Sequence, residues 1–151
     1  MSLNVDYLLR NADKLERLME ALGQADQKIH DQSNERDDFL SELNRDEAIR
    51  VFELSLETVG KLLRKALKAF TGNPRSIDSL VFNDVLRHAG KHSLLDCAGV
   101  ERWIAYRAIL NDNTESERDD ATHQILALLP RYVTDARVLA PKIQAVFDAA
   151  A

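Results

Sequence analysis

Apolar residues recur every three or four positions along most of the chain, which is the spacing of one face of an α-helix. A first stripe comprises Leu8, Leu15, Leu18 and Leu22. The clearest stripe lies further on and comprises Ile49, Phe52, Leu56, Val59, Leu63, Ala66, Leu67 and Phe70. Both stripes predict amphipathic helices that bury one face against one another.

Capping and helix-breaking residues set the ends of five predicted helices. In order, these span about Asn4–Ala21, Asn44–Gly72, Asn73–Gly90, Val100–Leu110 and Asp119–Phe147. Ser33–Asn34 marks a polar break before the second helix, which starts with Asn44 as its N-cap and Glu47 as the capping-box partner. Pro130 lacks a backbone N–H and is expected to kink the last helix, while Pro141 kinks it again or breaks it. Long amphipathic helices with short loops predict an up-and-down four-helix bundle with an additional kinked or short helix, built as one domain from residues 1–151.

Composition supports an all-α fold. The chain has 151 residues but only 5 Gly and 3 Pro, so it is short of the turns that an all-β fold needs. Apolar residues make up 45% and charged residues 30%, which is typical of a soluble globular domain. The net charge of −5 argues against duplex DNA as a partner, because duplex-binding proteins usually carry a basic excess.

Several classes of protein and site are excluded or disfavoured. The single Cys97 excludes an intramolecular disulfide and a multi-cysteine zinc site. No apolar run reaches the length of about 18 residues that a membrane span needs, and the first residues lack a secretory pattern. We therefore expect a cytoplasmic protein with no membrane partner. His88 and His92 have the i,i+4 spacing of metal ligands but lack a third ligand in sequence, so we predict no metal site and no cofactor.

A strip of charged residues runs beside the apolar face of the second predicted helix. Its members are Arg50, Glu53, Glu57, Lys61, Arg64 and Lys68. Two interpretations stay open. The strip is a solvated ladder of ion pairs, in which case its carboxylates are exposed, or it faces a groove or a partner chain.

The same segment carries a family resemblance. Its pattern is R-D-x-x-I-x-x-F-E-x-x-x-E-x-x-x-K, and the matching positions are Arg45, Asp46, Ile49, Phe52, Glu53, Glu57 and Lys61. It resembles the second helix of the nucleotidyltransferase substrate-binding proteins, a branch of the HEPN superfamily. Further landmarks follow in the family's order, namely the turn Gly72-Asn73-Pro74-Arg75, the turn Leu94-Leu95-Asp96 and the helix-borne Trp103. The resemblance extends from Asn4 to Phe147.

The chain also departs from the family's pattern. The family's Arg-Asn-x-x-x-His-x-Tyr signature keeps its Arg as Arg107, but Asp112 stands at the His position and Thr114 at the Tyr position. In many HEPN proteins the Arg and His form a ribonuclease site across a dimer. An aspartate would repel phosphate instead of transferring protons near neutral pH, so ribonuclease activity is disfavoured here. Gly60 replaces a large aromatic residue of the family, which either lets another helix approach or widens a pocket.

The resemblance implies a dimeric bundle that acts beside a separately encoded nucleotidyltransferase. The bundle would bind a small anionic or nucleotide-like ligand, and the partner would carry the catalytic carboxylates. The expected ligand-binding residues are Glu53, Glu57, Lys61, Trp103, Arg107 and Asp112, although Trp103 has the alternative of a place in the core. No catalytic residue is assigned to this chain. Two other hypotheses are a HEPN ribonuclease toxin and a ligand-free, antitoxin-like partner subunit.

Two segments of opposite charge contribute to the net charge of −5. Residues 61–75 carry five basic residues and no acidic one, whereas residues 112–120 carry five acidic residues against Arg118. Such polarity suits docking onto a partner chain.

Overall fold

The structure is a computed structural model, and its described residues form an all-α fold, which confirms the predicted class. It describes the backbone of residues 4–31, 35–110 and 115–150, and the side chains of residues 4–23, 39–110 and 122–150. Within these ranges there are six helices and no strand. The helices are α1 (Asp6–Asp31), α2 (Glu35–Lys68), α3 (Pro74–Asp78), α4 (Phe82–Lys91), α5 (Cys97–Ile109) and α6 (Glu115–Ala150).

The contacts between helices give an up-and-down path. Ser55 of α2 hydrogen-bonds to Tyr132 of α6. Further along both helices, the ammonium of Lys65 lies 4.4 Å from the ring centroid of Phe147, so α2 and α6 run in the same direction. The chain must therefore return between them, and α3, α4 and α5 make that return. α1 joins α2 through a short connection and packs against both α2 and α6, antiparallel to each.

The start of α2 differs from the prediction. The helix begins at Glu35, so Asn44 lies inside it and is not an N-cap. No glycine or proline interrupts residues 35–44, and Ser41 and Ala48 are buried on the face that packs in the bundle. Tertiary packing therefore extends the helix past a sequence that resembles a start signal. The predicted break at Ser33–Asn34 lies outside the described residues.

The third predicted helix is in fact two helices, α3 and α4. Asn73 precedes Pro74 as expected, but its side chain makes no capping hydrogen bond. The helical path stops after Asp78 and resumes at Phe82. Arg64 of α2 donates a hydrogen bond from Nη1 to the carbonyl oxygen of Leu80 at 3.1 Å, which satisfies an acceptor in this break.

Gly90 was predicted to end this helix, but α4 continues for one more residue and ends at Lys91. A Cβ atom on Gly90 would stand 2.8 Å from Cγ2 of Val100, so glycine lets α4 and α5 approach closely. The left-handed turn that follows is made by Ser93, with φ of 64°. Asp96 then caps α5, because its Oδ1 accepts a hydrogen bond from the backbone N–H of Gly99 at 2.6 Å.

α6 passes through both of its prolines, Pro130 and Pro141, without a break. Fully buried residues flank both prolines, Leu129 and Tyr132 around Pro130 and Ala140 and Ile143 around Pro141. Packing on both sides of each proline therefore holds the helix together where the ring removes a backbone donor.

Tyr132 of α6 lies at the centre of an aromatic cluster in the core. Its ring packs edge-on against Phe52 at a centroid distance of 4.9 Å. It also meets Trp103 and Tyr106, each with centroids 5.4 Å away. Burial raises the pKa of the Tyr132 hydroxyl, which hydrogen-bonds to the buried Ser55. The cluster thus joins α2, α5 and α6 through shape and a satisfied polar group.

Asp135, one helical turn along α6, is the buried charge of this cluster. Arg102 of α5 donates to its two carboxylate oxygens from Nε at 2.9 Å and from Nη2 at 3.0 Å. The hydroxyl of Tyr106 donates to the same carboxylate at 2.6 Å. Burial first and this hydrogen bond second raise the pKa of Tyr106, so the phenol stays protonated as a donor. A bidentate ion pair with a third donor is a strong, directional link between two helices.

We expect Asp135→Asn to lower the free energy of unfolding by about 2–3 kcal/mol, because it leaves the Arg102 guanidinium without its counter-charge. This loss is smaller than that of a fully buried ion pair, because the Arg102 side chain is 30% exposed and water partly solvates its charge. The matched control is Asp84→Asn, which removes the exposed pair with Arg87 and should change stability by less than about 1 kcal/mol. Urea unfolding followed by circular dichroism measures both variants, and equal losses would contradict the assignment.

Candidate functional site

One polar groove lies where the second half of α2 meets the start of α4 and the end of α5. Its volume is about 640 Å³. The residues that line it are Glu53, Leu56, Glu57, Gly60, Lys61, Arg64, Phe82, Arg107 and Leu110. We call this site the α2–α5 groove.

The helical repeat of α2 places four charged side chains along one edge of the α2–α5 groove. Residues at spacings of three and four lie on one side of a helix, and Glu53, Glu57, Lys61 and Arg64 follow those spacings. The neighbouring face of α2 is in the core. The sequence thus fixes a buried face and a charged edge side by side on one helix.

The carboxylates of the strip are exposed, as the ion-pair ladder predicts. Lys61 Nζ lies 3.4 Å from Glu57 Oε1, and both side chains are 63% exposed. A pair this exposed is weak, so water screens its attraction and a ligand can compete for either partner. The same side chains also line the α2–α5 groove. The two interpretations of the strip are therefore compatible with each other.

Arg107 reaches the α2–α5 groove from the last turn of α5. It is half-buried and makes polar contacts of its own. Tyr106, the preceding residue, is buried and bonded to Asp135. Because adjacent helical residues point about 100° apart, the fixed Tyr106 sets the side of α5 on which Arg107 emerges. Four of the six expected ligand-binding residues thus line one groove.

Of the other two expected residues, one lies in the core and one is not described. Trp103 is only 1% exposed and packs edge-on against Tyr106 with centroids 5.4 Å apart, so it takes the core alternative rather than a place on the groove wall. Asp112 lies outside the described residues, and so does Thr114.

Five lining residues were not among the predicted site residues, namely Leu56, Gly60, Arg64, Phe82 and Leu110. Arg64 follows Lys61 by three positions on the charged strip, so the helical spacing already pointed to it. Phe82 comes from α4, and no feature of the sequence indicates that it meets α2. Gly60 was noticed, but its role was open.

Gly60 permits the close approach of α4. A Cβ atom at this position would stand 3.1 Å from Cε2 and 3.3 Å from Cδ2 of the Phe82 ring. Both distances are shorter than ordinary van der Waals contact, so a side chain would push the ring outward. Of the two roles considered for Gly60, helix approach accounts for these distances, and the ring that it admits forms part of the groove wall.

The histidine pair on α4 shows no metal-site geometry. His92 stacks on Phe70 with ring centroids 4.4 Å apart and planes 7° from parallel. Across the side chains that the structure describes, no three His, Cys, Asp or Glu residues come together in a way that could hold a metal ion.

None of the described helices combines the length and apolar composition that crossing a membrane requires.

Comparison with solved structures finds a similar fold. No family model and no curated protein matches the chain. A solved structure from Haemophilus influenzae is similar over 88% of this chain and 98% of that one, with a TM-score of 0.62 and 20% sequence identity. That structure is described as revealing the fold of a substrate binding domain of a nucleotidyltransferase. At this identity the match shows a shared fold, and it spans nearly the whole of the other protein.

We expect Gly60→Ala to stabilise the protein less than Gly23→Ala does. Alanine is favoured over glycine inside a helix by about 1 kcal/mol. Nothing lies within 4 Å of a Cβ atom at Gly23, so the full gain in stability is expected there. At Gly60 the Phe82 ring must shift, which offsets part of that gain. Chemical unfolding of both variants measures the difference. Repeating Gly60→Ala in a Phe82→Leu background should restore the gain, and an unchanged effect there would refute the contact.

Proposed function

We propose that this protein is the non-catalytic, substrate-binding subunit of a two-component nucleotidyltransferase system. The observation that carries the proposal is the convergence of Glu53, Glu57 and Lys61 from α2 with Arg107 from α5 on one groove. These residues belong to the pattern shared with the substrate-binding family. The fold shared with the Haemophilus influenzae protein adds independent support.

The charges of the α2–α5 groove suit a small anionic or nucleotide-like ligand. Lys61, Arg64 and Arg107 supply positive charge for a phosphate, Lys61 as a point charge and the arginines as planar donors. Glu53 and Glu57 can accept hydrogen bonds from sugar hydroxyls or base amino groups. The volume of about 640 Å³ is in the range of small-molecule sites.

The proposal assigns the transfer reaction to a partner nucleotidyltransferase chain, which brings the catalytic carboxylates and their metal ions. The sequence signature expected of that partner is a Gly-Ser-x-x-x-Gly turn with an Asp-x-Asp pair. In this arrangement the bundle binds a small anionic or nucleotide-like substrate, and the partner carries out the transfer. This chain then needs binding groups but no nucleophile or general base.

The proposed assembly contains two copies of this chain. An exposed apolar patch on α2 supports self-association, because Phe39, Leu40 and Leu43 are 60%, 47% and 47% exposed. Apolar residues clustered in this way on a surface often mark an interface. The patch lies on the first half of α2, so a dimer formed there leaves the α2–α5 groove open.

We expect ATP to bind the purified protein and Arg107→Met to weaken binding by about 10-fold or more, since a charge-assisted hydrogen bond to a phosphate is lost. Isothermal titration calorimetry measures the affinity. Arg87→Met is the matched control, because Arg87 pairs with Asp84 on α4 and does not line the groove.

Equal loss in the two arginine variants would place the binding elsewhere. An RNA-cleavage assay distinguishes the ribonuclease hypothesis from the non-catalytic one. If the wild-type protein cleaves RNA and Arg107→Ala abolishes that cleavage, the non-catalytic assignment is wrong.

We expect co-expression with the small nucleotidyltransferase encoded nearest to this chain to give one complex that holds two copies of the bundle. Size-exclusion chromatography with light scattering measures its mass. Leu43→Asp should reduce the complex to a single copy of the bundle, because a carboxylate in the apolar patch must be desolvated on association. Val138→Asp, at another exposed apolar residue on α6, is the control and should leave the mass unchanged.

A further inference from the structure

A second cavity lies between α1, the first half of α2 and the first half of α6. Its volume is about 500 Å³, and its described lining shares no residue with the α2–α5 groove. On α2 it involves Ser41 and Arg45, which lie 8 residues or more before Glu53, the first α2 residue of that groove, a separation of about 12 Å at the helical rise. We call it the α1–α6 cavity.

One side of the α1–α6 cavity is apolar. Met19 and Leu22 of α1 face Leu126 and Pro130 of α6 across it. All four belong to helices that pack together elsewhere along their length. A volume of this size lined by aliphatic side chains suits the hydrocarbon part of a small molecule.

The α2 side of the α1–α6 cavity carries two buried polar atoms that lack partners. Ser41 is 3% exposed, and its Oγ makes no hydrogen bond in the part of the chain that the structure describes. Nε of Arg45 is buried and equally unsatisfied there. The residues are four apart on α2, so both side chains lie on the same face. Buried donors without acceptors destabilise a fold, so two of them at one cavity wall, unsatisfied within the described residues, point to an acceptor bound in the cavity.

We propose that the α1–α6 cavity binds a monocarboxylate with an apolar body. The carboxylate accepts hydrogen bonds from Arg45 Nε and from Ser41 Oγ. The apolar body lies against Met19, Leu22 and Leu126. Both unsatisfied donors and the apolar wall are thereby accounted for by one ligand.

The surroundings of Arg45 favour a carboxylate over a phosphate. A smaller polar cavity of about 240 Å³ also includes Arg45, and the rest of its described lining is Glu42, Asp46, Thr122 and His123. Two acidic side chains beside one guanidinium disfavour a doubly charged anion more strongly than a singly charged one. A carboxylate is also planar and matches the donor plane of a guanidinium.

The test titrates decanoate into the intact protein, with decan-1-ol and decyl phosphate as matched probes. We expect decanoate to bind with one site per chain, and each of the other two probes to bind about 10-fold more weakly or worse, because a charged hydrogen bond contributes about that factor. Arg45→Met should weaken decanoate binding by about 10- to 100-fold. Arg50→Met is the control, since Arg50 is on the same helix but pairs with Glu47 on the surface, and it should bind decanoate like the wild type.

Thermal unfolding supplies a second readout that is independent of the titration. Decanoate should raise the unfolding temperature of the wild type but not that of Arg45→Met. Without decanoate, Ser41→Ala should be at least as stable as the wild type, because it removes an unsatisfied buried hydroxyl. Leu126→Trp fills the apolar side and keeps both donors, so it should abolish binding even if Arg45→Met does not fold.

Each other outcome overturns the proposal. Absence of decanoate binding, equal binding of decan-1-ol, tighter binding of decyl phosphate or full binding by a folded Arg45→Met protein would each do so. Nucleotide binding in the α2–α5 groove uses none of these residues, so failure here leaves the proposed function standing, and the converse holds as well.

Discussion

The contact between Asp135 and its two donors holds the arrangement on which the α2–α5 groove depends. Arg102 and Tyr106 are one turn apart on α5, and both donate to a carboxylate on α6. This fixes the rotation of α5 about its own axis, because two of its side chains must meet the same group. Arg107 follows Tyr106 directly, so that rotation decides where Arg107 emerges. The geometry of a surface site is thus set by an ion pair on the inner side of α5.

α2 connects the core with that surface. Phe52 meets Tyr132 in the aromatic cluster, while Glu53, the next residue, lines the α2–α5 groove. The same alternation of buried and charged positions continues along the helix to Arg64, which also secures the break between α3 and α4. Because one rigid helix carries both sets of residues, the groove edge moves only if the core moves. A binding surface built on such an element is preorganised rather than assembled on binding.

The two cavities differ in the chemistry that surrounds them. The α2–α5 groove is lined by charged side chains of both signs, whereas the α1–α6 cavity combines an aliphatic side with two unsatisfied donors. Arg45 is the first residue of the R-D-x-x-I pattern of α2, but that pattern does not include Ser41. The pairing of the two unsatisfied donors at one cavity depends on how α1, α2 and α6 pack.

The sequence by itself determined the helical class and the charged edge of α2, because both follow from a spacing of three and four along one helix. It placed Glu53, Glu57 and Lys61 on one side without any knowledge of the neighbours. Only the tertiary structure decided the rest. It extended α2 past Asn44, put Trp103 in the core, brought Phe82 against Gly60 and paired Asp135 with residues 33 and 29 positions away. These outcomes depend on which helix faces meet, and local periodicity carries no information about that choice.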